Sequence, residues 1–227
     1  METNSSPSHV DLDLLFGWSG ARSISRGLPM PVLDRGGIRV DTGLPDERRR
    51  FLFARAAPAI RELADSIGEP HVAIKLCGPA RQLLDLAPHG WTLQPQAYLM
   101  IQPERHDGLP VVPAGYRIDV VGRGAASSVQ IVAEDGTVAA SGHAAEYGGV
   151  FIVDRIATAA AHRRRGLGTA LMAALGATQR SQTARRVLTA TEDGRALYTA
   201  LGWTVLSPYA TVISPDRTLE DGAAATL

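Results

Sequence analysis

The chain has one cysteine, Cys77, among 227 residues, which excludes any disulfide within it. It has no net charge, because 23 lysines and arginines balance 23 aspartates and glutamates. Nucleic-acid-binding proteins carry a basic surplus, so that class is not expected. No apolar run is long enough to cross a bilayer. Met1–Pro7 lacks the basic start and apolar stretch of a secretion signal. A cytoplasmic protein with no membrane and no nucleic-acid partner is the expectation. The chain has no G-x-x-x-x-G-K-[S/T] phosphate loop and no metal-spaced His/Cys cluster, so no metal is expected. Gly17-Trp18-Ser19-Gly20 is not the G-x-S-x-G of a serine hydrolase.

What is present suits a packed mixed α/β protein: 45% hydrophobic and 20% charged residues, room for one large domain or two small ones. Alternating apolar residues predict strands at 37–41, 72–76, 97–101, 116–121 and 128–133. Asp135-Gly136 predicts a hairpin turn into a strand at 137–141. Further strands are predicted at 150–158, 186–191, 203–205 and 210–213. Pro45-Asp46-Glu47 reads as a helix start, with the helix running to Ile67 through a kink at Pro58. Short helices are predicted over 80–86 and 194–201. The proline-rich stretch 103–113 reads as a linker, and residues 1–10 and 216–227 as tails.

The most informative segment is Arg163-Arg164-Arg165-Gly166-Leu167-Gly168-Thr169, between the 150–158 strand and a helix with Leu167, Leu171, Ala174 and Leu175 on one stripe. Glycine permits a tight turn and a close backbone approach. The first amides of a helix lack internal partners and meet an anion at the positive end of its dipole. Three arginines beside them add charge and donors for phosphate. This is a pyrophosphate cradle, although an arginine run is more often a solvated face and one G-x-G is weak evidence.

A repeat spans the chain. Val72–Ile101 contains Ala80-Arg81-Gln82-Leu83-Leu84, Gly90-Trp91 and Tyr98-Leu99-Met100-Ile101. Val187–Ile213 contains Gly194-Arg195-Ala196-Leu197-Tyr198, Gly202-Trp203 and Tyr209-Ala210-Thr211-Val212-Ile213. Leu84 stands where Tyr198 stands, and no G-x-G follows Arg48-Arg49-Arg50.

Arg163-x-x-Gly166-x-Gly168 resembles motif A of the GNAT acyl-CoA N-acyltransferases, and Leu197-Tyr198-x-x-Leu201-Gly202-Trp203 resembles their motif B. The resemblance covers about residues 114–213. It implies a GNAT-like fold in a catalytic domain over 114–215 and a degenerate copy over 1–105. It further implies an enzyme that moves an acetyl group from acetyl-CoA to a primary amine by direct attack. Ile156, Ala157 and Thr158 would bond the pantetheine arm and acetyl carbonyl. Arg163, Arg164, Arg165, Gly166, Leu167, Gly168 and Thr169 would hold the pyrophosphate. Tyr198 would protonate the departing thiolate, a role that suits a phenol still protonated at neutral pH. Its plain alternative is a half-buried aromatic with a wet hydroxyl.

The acceptor, a small-molecule or peptide amine, is not identified, and a homodimer is left open. Glu146, Asp154, His143, His162 or a water relay are the alternatives for the general base. The family places two helices between its first two strands; here only Gly122–Ser127 intervenes, so the acceptor wall is expected from the N-terminal half. Two rival functions stand beside this one. Glu192 sits where a dinucleotide-binding protein holds its ribose, but Leu171 replaces the third glycine of that fingerprint. A non-catalytic acyl-CoA-binding regulatory module needs only motif A.

Overall fold

The computed structural model describes residues 10–104 and 108–216. The first half contains α1 (Leu12–Arg26), β1 (Val32–Asp34), β2 (Gly37–Val40), β3 (Arg49–Phe53), α2 (Pro58–Ser66), β4 (Val72–Cys77), α3 (Ala80–Leu84), β5 (Thr92–Leu93) and β6 (Ala97–Gln102). The second contains β7 (Tyr116–Arg123), β8 (Ala126–Ala133), β9 (Val138–Tyr147), β10 (Val150–Thr158), a 3₁₀ turn (Ala160–His162), α4 (Leu167–Gly176), β11 (Arg185–Thr191), α5 (Glu192–Ala200) and β12 (Thr204–Ile213). The described strands form one mixed sheet in the order β1-β2-β3-β4-β12-β6-β11-β10-β9-β8-β7, with β5 beside β12. Among the described residues no helix is long and apolar enough to cross a membrane.

The two halves are laced together by an exchange of strands. β6, from the first half, lies between β11 and β12, and β12, from the second, pairs with β4. Each half also runs through strand, helix, parallel strand, helix. In the first, β3 and β4 pair in parallel around α2; in the second, β10 and β11 pair in parallel around α4. The repeated Trp residues are buried in different clusters, Trp91 with Ile60 and Leu63, Trp203 with Leu171 and Leu175.

Two expectations need correction. Residues 49–53 form β3 and not a helical turn, because Arg50–Phe53 are buried in the sheet between β2 and β4. Sheet pairing overrides the acidic helix-start signal at Pro45–Glu47. Pro58 then opens α2 at its first turn, where a missing N–H costs nothing. Residues 204–205 and 210–213 belong to one ten-residue strand, β12, with an irregular register near Ser207, and Trp203 precedes it. The linker residues 105–107 and the tails 1–9 and 217–227 lie outside the described residues.

Helix α1 was not anticipated. The Asp11 carboxylate accepts from the Leu14 N–H at 2.5 Å and caps its start; Gly27, at φ +64°, ends it. Leu14, Leu15, Trp18 and Ala21 form its buried stripe against β9 and β10. Side chains alternate along β10: Phe151 and Val153 join the cluster of α4, while Val150 and Ile152 join that of α1. The two helices therefore cover opposite faces of the second-half sheet.

Close approach of α1 depends on Gly17. A Cβ there would lie 2.7 Å from Val150 Cγ2 and 2.9 Å from the Gly148 carbonyl oxygen. Gly17→Ala should gain about 1 kcal/mol of helix propensity and lose about 2–3 kcal/mol to overpacking against backbone. Urea unfolding should show a net loss of stability, and a stabilised variant would show that α1 is not docked there.

Candidate active site

Strands β10 and β11 pair only through Val150–Ile152 and Arg185–Val187. Beyond these three pairs they part, although β10 runs on to Thr158 and β11 to Thr191. On its other side β10 stays paired with β9, with a register shift between Asp154 and Ala157 and Arg155 at φ +54°. The bulge re-aims the chain at the mouth of the gap. Gly142 on β9 makes room for it, since a Cβ there would lie 2.5 Å from Ile156 Cδ1. The edge of residues 153–158 that faces β11 therefore carries no ladder bonds. Ile156, Ala157 and Thr158 lie along it.

At the end of β10 the chain turns through Ala160–His162 into the arginine run. Arg164 takes φ +62° and Gly166 φ +76°, the left-handed region that glycine adopts without strain. Gly166 caps α4, and the first helical bond runs from the Ala170 N–H to the Gly166 carbonyl at 3.1 Å. The amides from Arg164 to Thr169 precede that bond and need outside partners. Residues 163–166 and Thr169 are exposed, Gly168 is half-buried and Leu167 is buried under the turn. Arg163 donates to the Thr158 carbonyl at 3.3 Å, and Arg165 to the Tyr116 hydroxyl at 3.0 Å, which also meets His162 Nδ1 at 2.9 Å. Gly168 also packs closely against α5. A Cβ on it would lie 3.2 Å from Leu197 Cδ2, so it brings α4 against α5.

Tyr198, on α5, is 8% exposed, with its ring edge-on to Trp203 at 6.4 Å. A Cβ on Gly194 would come within 3.2 Å of its ring. Burial, then the nearby Asp154 charge, raises its pKa, so it keeps its proton at neutral pH. Tyr198, Gly194, Val153–Ile156 and Thr189–Thr191 line a cavity of about 290 Å³ whose remaining wall is Arg22 and Arg26 of α1. A larger cavity, about 510 Å³, lies between α4 and α5 beyond Val153, and Tyr198 is not among the residues that line it.

The four base candidates separate. Glu146 accepts from the Arg180 and Ser181 N–H groups at 3.0 and 3.2 Å, holding the loop after α4. His162 sits with Tyr116 beside the arginine turn. Asp154 accepts two bonds from Arg26, at 2.6 and 2.8 Å. Burial works to raise its pKa, but Arg26, Arg22 and Arg155 outweigh that and hold it low. It is an ion-pair carboxylate and a weak base. His143 stands opposite Asp154 across β9–β10, half-buried, its pKa lowered by burial and then by Arg155. Among the described residues no group of His, Cys, Asp and Glu could hold a metal.

The sequence reading missed Arg22 and Arg26. Asp11 as a cap, the Leu14/Leu15/Trp18/Ala21 stripe and the terminal Gly27 were the available signals for α1. Two arginines four apart near its end would then face one way.

Comparison with known proteins agrees with this fold. Residues 126–205 match the family model described as the acetyltransferase (GNAT) domain. The fold is similar to a GCN5-related N-acetyltransferase from Kribbella flavida (19% identity, 90% of this chain and 96% of that one, TM-score 0.62). It is similar to another from Sphaerobacter thermophilus (13% identity, 79% and 76% covered, TM-score 0.55). A tandem GNAT protein from the clavulanic acid biosynthesis pathway also matches (17% identity, 79% and 80% covered, TM-score 0.52). No curated protein sequence matches the chain. Residues 126–205 thus match the GNAT acetyltransferase domain, and the chain has a GNAT-like mixed α/β fold.

Asp154→Asn would leave Arg22 and Arg26 without a counter-charge. Breaking such a pair costs about 3–5 kcal/mol, which urea unfolding at pH 7 should register. The carboxyl is held low, so its contribution is fully present above about pH 4 and is lost as pH falls through the folded-state value. Wild type and variant should therefore converge in strong acid. Equal stabilities at pH 7 would contradict the ion-pair assignment.

Proposed function

We propose that the chain is an N-acetyltransferase that moves the acetyl group of acetyl-CoA to an amine. The parting of β10 from β11 beside Tyr198 carries this reading. The exposed backbone edge at Ile156–Thr158 can bond an amide-containing arm. The amides from Arg164 to Thr169, with Arg163, Arg164 and Arg165, suit a pyrophosphate. The reaction is direct: the amine nitrogen bonds to the acetyl carbon, the carbon–sulfur bond breaks, and the thiolate leaves. Tyr198 gives that thiolate its proton, for which a buried phenol with a raised pKa is suited. No carboxylate in the cleft is free to act as base, since Arg26 occupies Asp154. The amine's proton passes to His143 or to water.

Residues 114–215 form the catalytic domain in this reading, and residues 1–105 a copy that has lost its own site. Three features support the loss. β3 and β4 stay paired over all five residues from Arg49 to Phe53, so no gap opens. α2 begins at Pro58 after Ala57, without a glycine turn. Leu84 is exposed on α3, where the second half has Tyr198. The first half instead contributes α1 as the acceptor wall.

Calorimetry on the whole chain should give one acetyl-CoA bound per chain, and two would mean that the first half is a working site. Tyr198→Phe keeps the ring and loses the donor. Acetyl-CoA affinity should hold while kcat falls on the order of 10²-fold. Wild-type kcat would return Tyr198 to a packing role, and absence of any acetyl transfer with acetyl-CoA bound would favour a regulatory binding module.

A further inference from the structure

The charges buried between α1, β10 and the first-half strands do not balance. Six ionisable side chains meet there, none more than 26% exposed: Arg22, Arg26, Arg50, Lys75, Glu47 and Asp154. Four are cations and two are carboxylates, so the group carries +4 − 2 = +2. The partners are already assigned. Glu47 is shared by Arg50 and by Lys75, each at 2.6 Å. Asp154 is held from two sides by Arg26. Arg22 is left over. Its Nε stands 3.9 Å from Asp154, is buried, and has no hydrogen-bond partner among the described residues. The buried Tyr209 hydroxyl and Arg50 Nε are likewise without partners.

Loss of a proton does not remove this surplus at neutral pH. Burial, then Arg26 and Arg50, lowers the Arg22 pKa to about 10, which leaves it charged. Burial, opposed by Glu47, brings Lys75 to about 8. A buried cation whose only counter-charge is shared and distant is costly, and an anion beside it lowers the cost. Arg22 also borders the site. Its guanidinium lies over the Trp18 ring at 5.2 Å, and the residue lines the same cavity as Tyr198. A planar guanidinium fork matches a carboxylate in two-point fashion. The cavity, about 290 Å³, is at the small end for a ligand pocket.

We propose that the acceptor is a small amine that carries its own carboxylate, and that Arg22 takes that carboxylate at the α1 wall while the amine faces the gap beside Tyr198. This rests on the acetyl-transfer reading but is testable apart from it.

Two measurements decide it. In the first, the Nε–H resonances of the arginines are followed in the whole protein, with that of Arg22 identified by its loss in Arg22→Gln. Glutarate should shift it, and glutaramide should not. No response to glutarate, or a response to inorganic phosphate alone, would overturn the carboxylate assignment whether or not the protein transfers acetyl groups. In the second, amines are offered with acetyl-CoA in matched pairs, for example β-alanine and its amide. The acid should be preferred at least tenfold in kcat/KM. Arg22→Gln should abolish the preference through KM, with acetyl-CoA affinity unchanged, and Arg22→Lys should keep part of it. Equal use of acid and amide by the wild type would overturn the proposal. Failure to bind acetyl-CoA would instead count against the acetyl-transfer reading, leaving the resonance titration to decide the anion site.

Discussion

A parallel pair of strands gains its ladder one residue at a time, and in β10 and β11 the gain stops after Ile152 and Val187. The geometry of the site depends on that stop. The backbone edge of residues 153–158 is freed from β11, the bulge at Arg155 turns it, and the strand delivers the chain to the arginine turn and the start of α4. Tyr198 can reach the gap because α5 begins as soon as β11 ends. In the first half the corresponding ladder runs to the end of β3, and with no gap there is nothing for a glycine turn to serve.

The gap has two walls, and they come from different parts of the chain. α4 lies on one face of β10 and α1 on the other, separated by about 140 residues of sequence and by the strand's own alternation. The absence of helices between β7 and β8 leaves the second face open, and α1 fills it. Its contact is electrostatic as well as apolar: Arg26 satisfies Asp154 at the bulge, and Arg155 donates back to the Ser25 carbonyl at 2.5 Å. The exchange of β6 and β12 makes the halves one sheet, so this wall rests on a continuous sheet.

Much of this is written locally. Alternation located most strands, Asp135-Gly136 the hairpin, and the glycine–arginine turn the start of α4, because each is fixed by residues within one or two turns of chain. The errors fall where distant residues decide. Arg49–Phe53 becomes a strand because β2 and β4 flank it, and the acidic residues before it lose to that pairing. Asp154 reads equally well as base or ion pair until α1 brings Arg26 to it from 128 positions away. The cap and stripe of α1 were legible; its place over β10 was not, since nothing in residues 12–26 says which sheet they cover.

The most direct test of the account is backbone amide hydrogen exchange on the whole chain with and without CoA. Amides from Arg164 to Thr169, which lack helical partners, should exchange more slowly when CoA is present, as should those along Ile156–Thr158. The turn from Ala54 to Ala57 before α2 should be unaffected. Protection confined to that first-half turn, or no change at Arg164–Thr169 under conditions where CoA is bound, would contradict the assignment of the cofactor to the gap between β10 and β11.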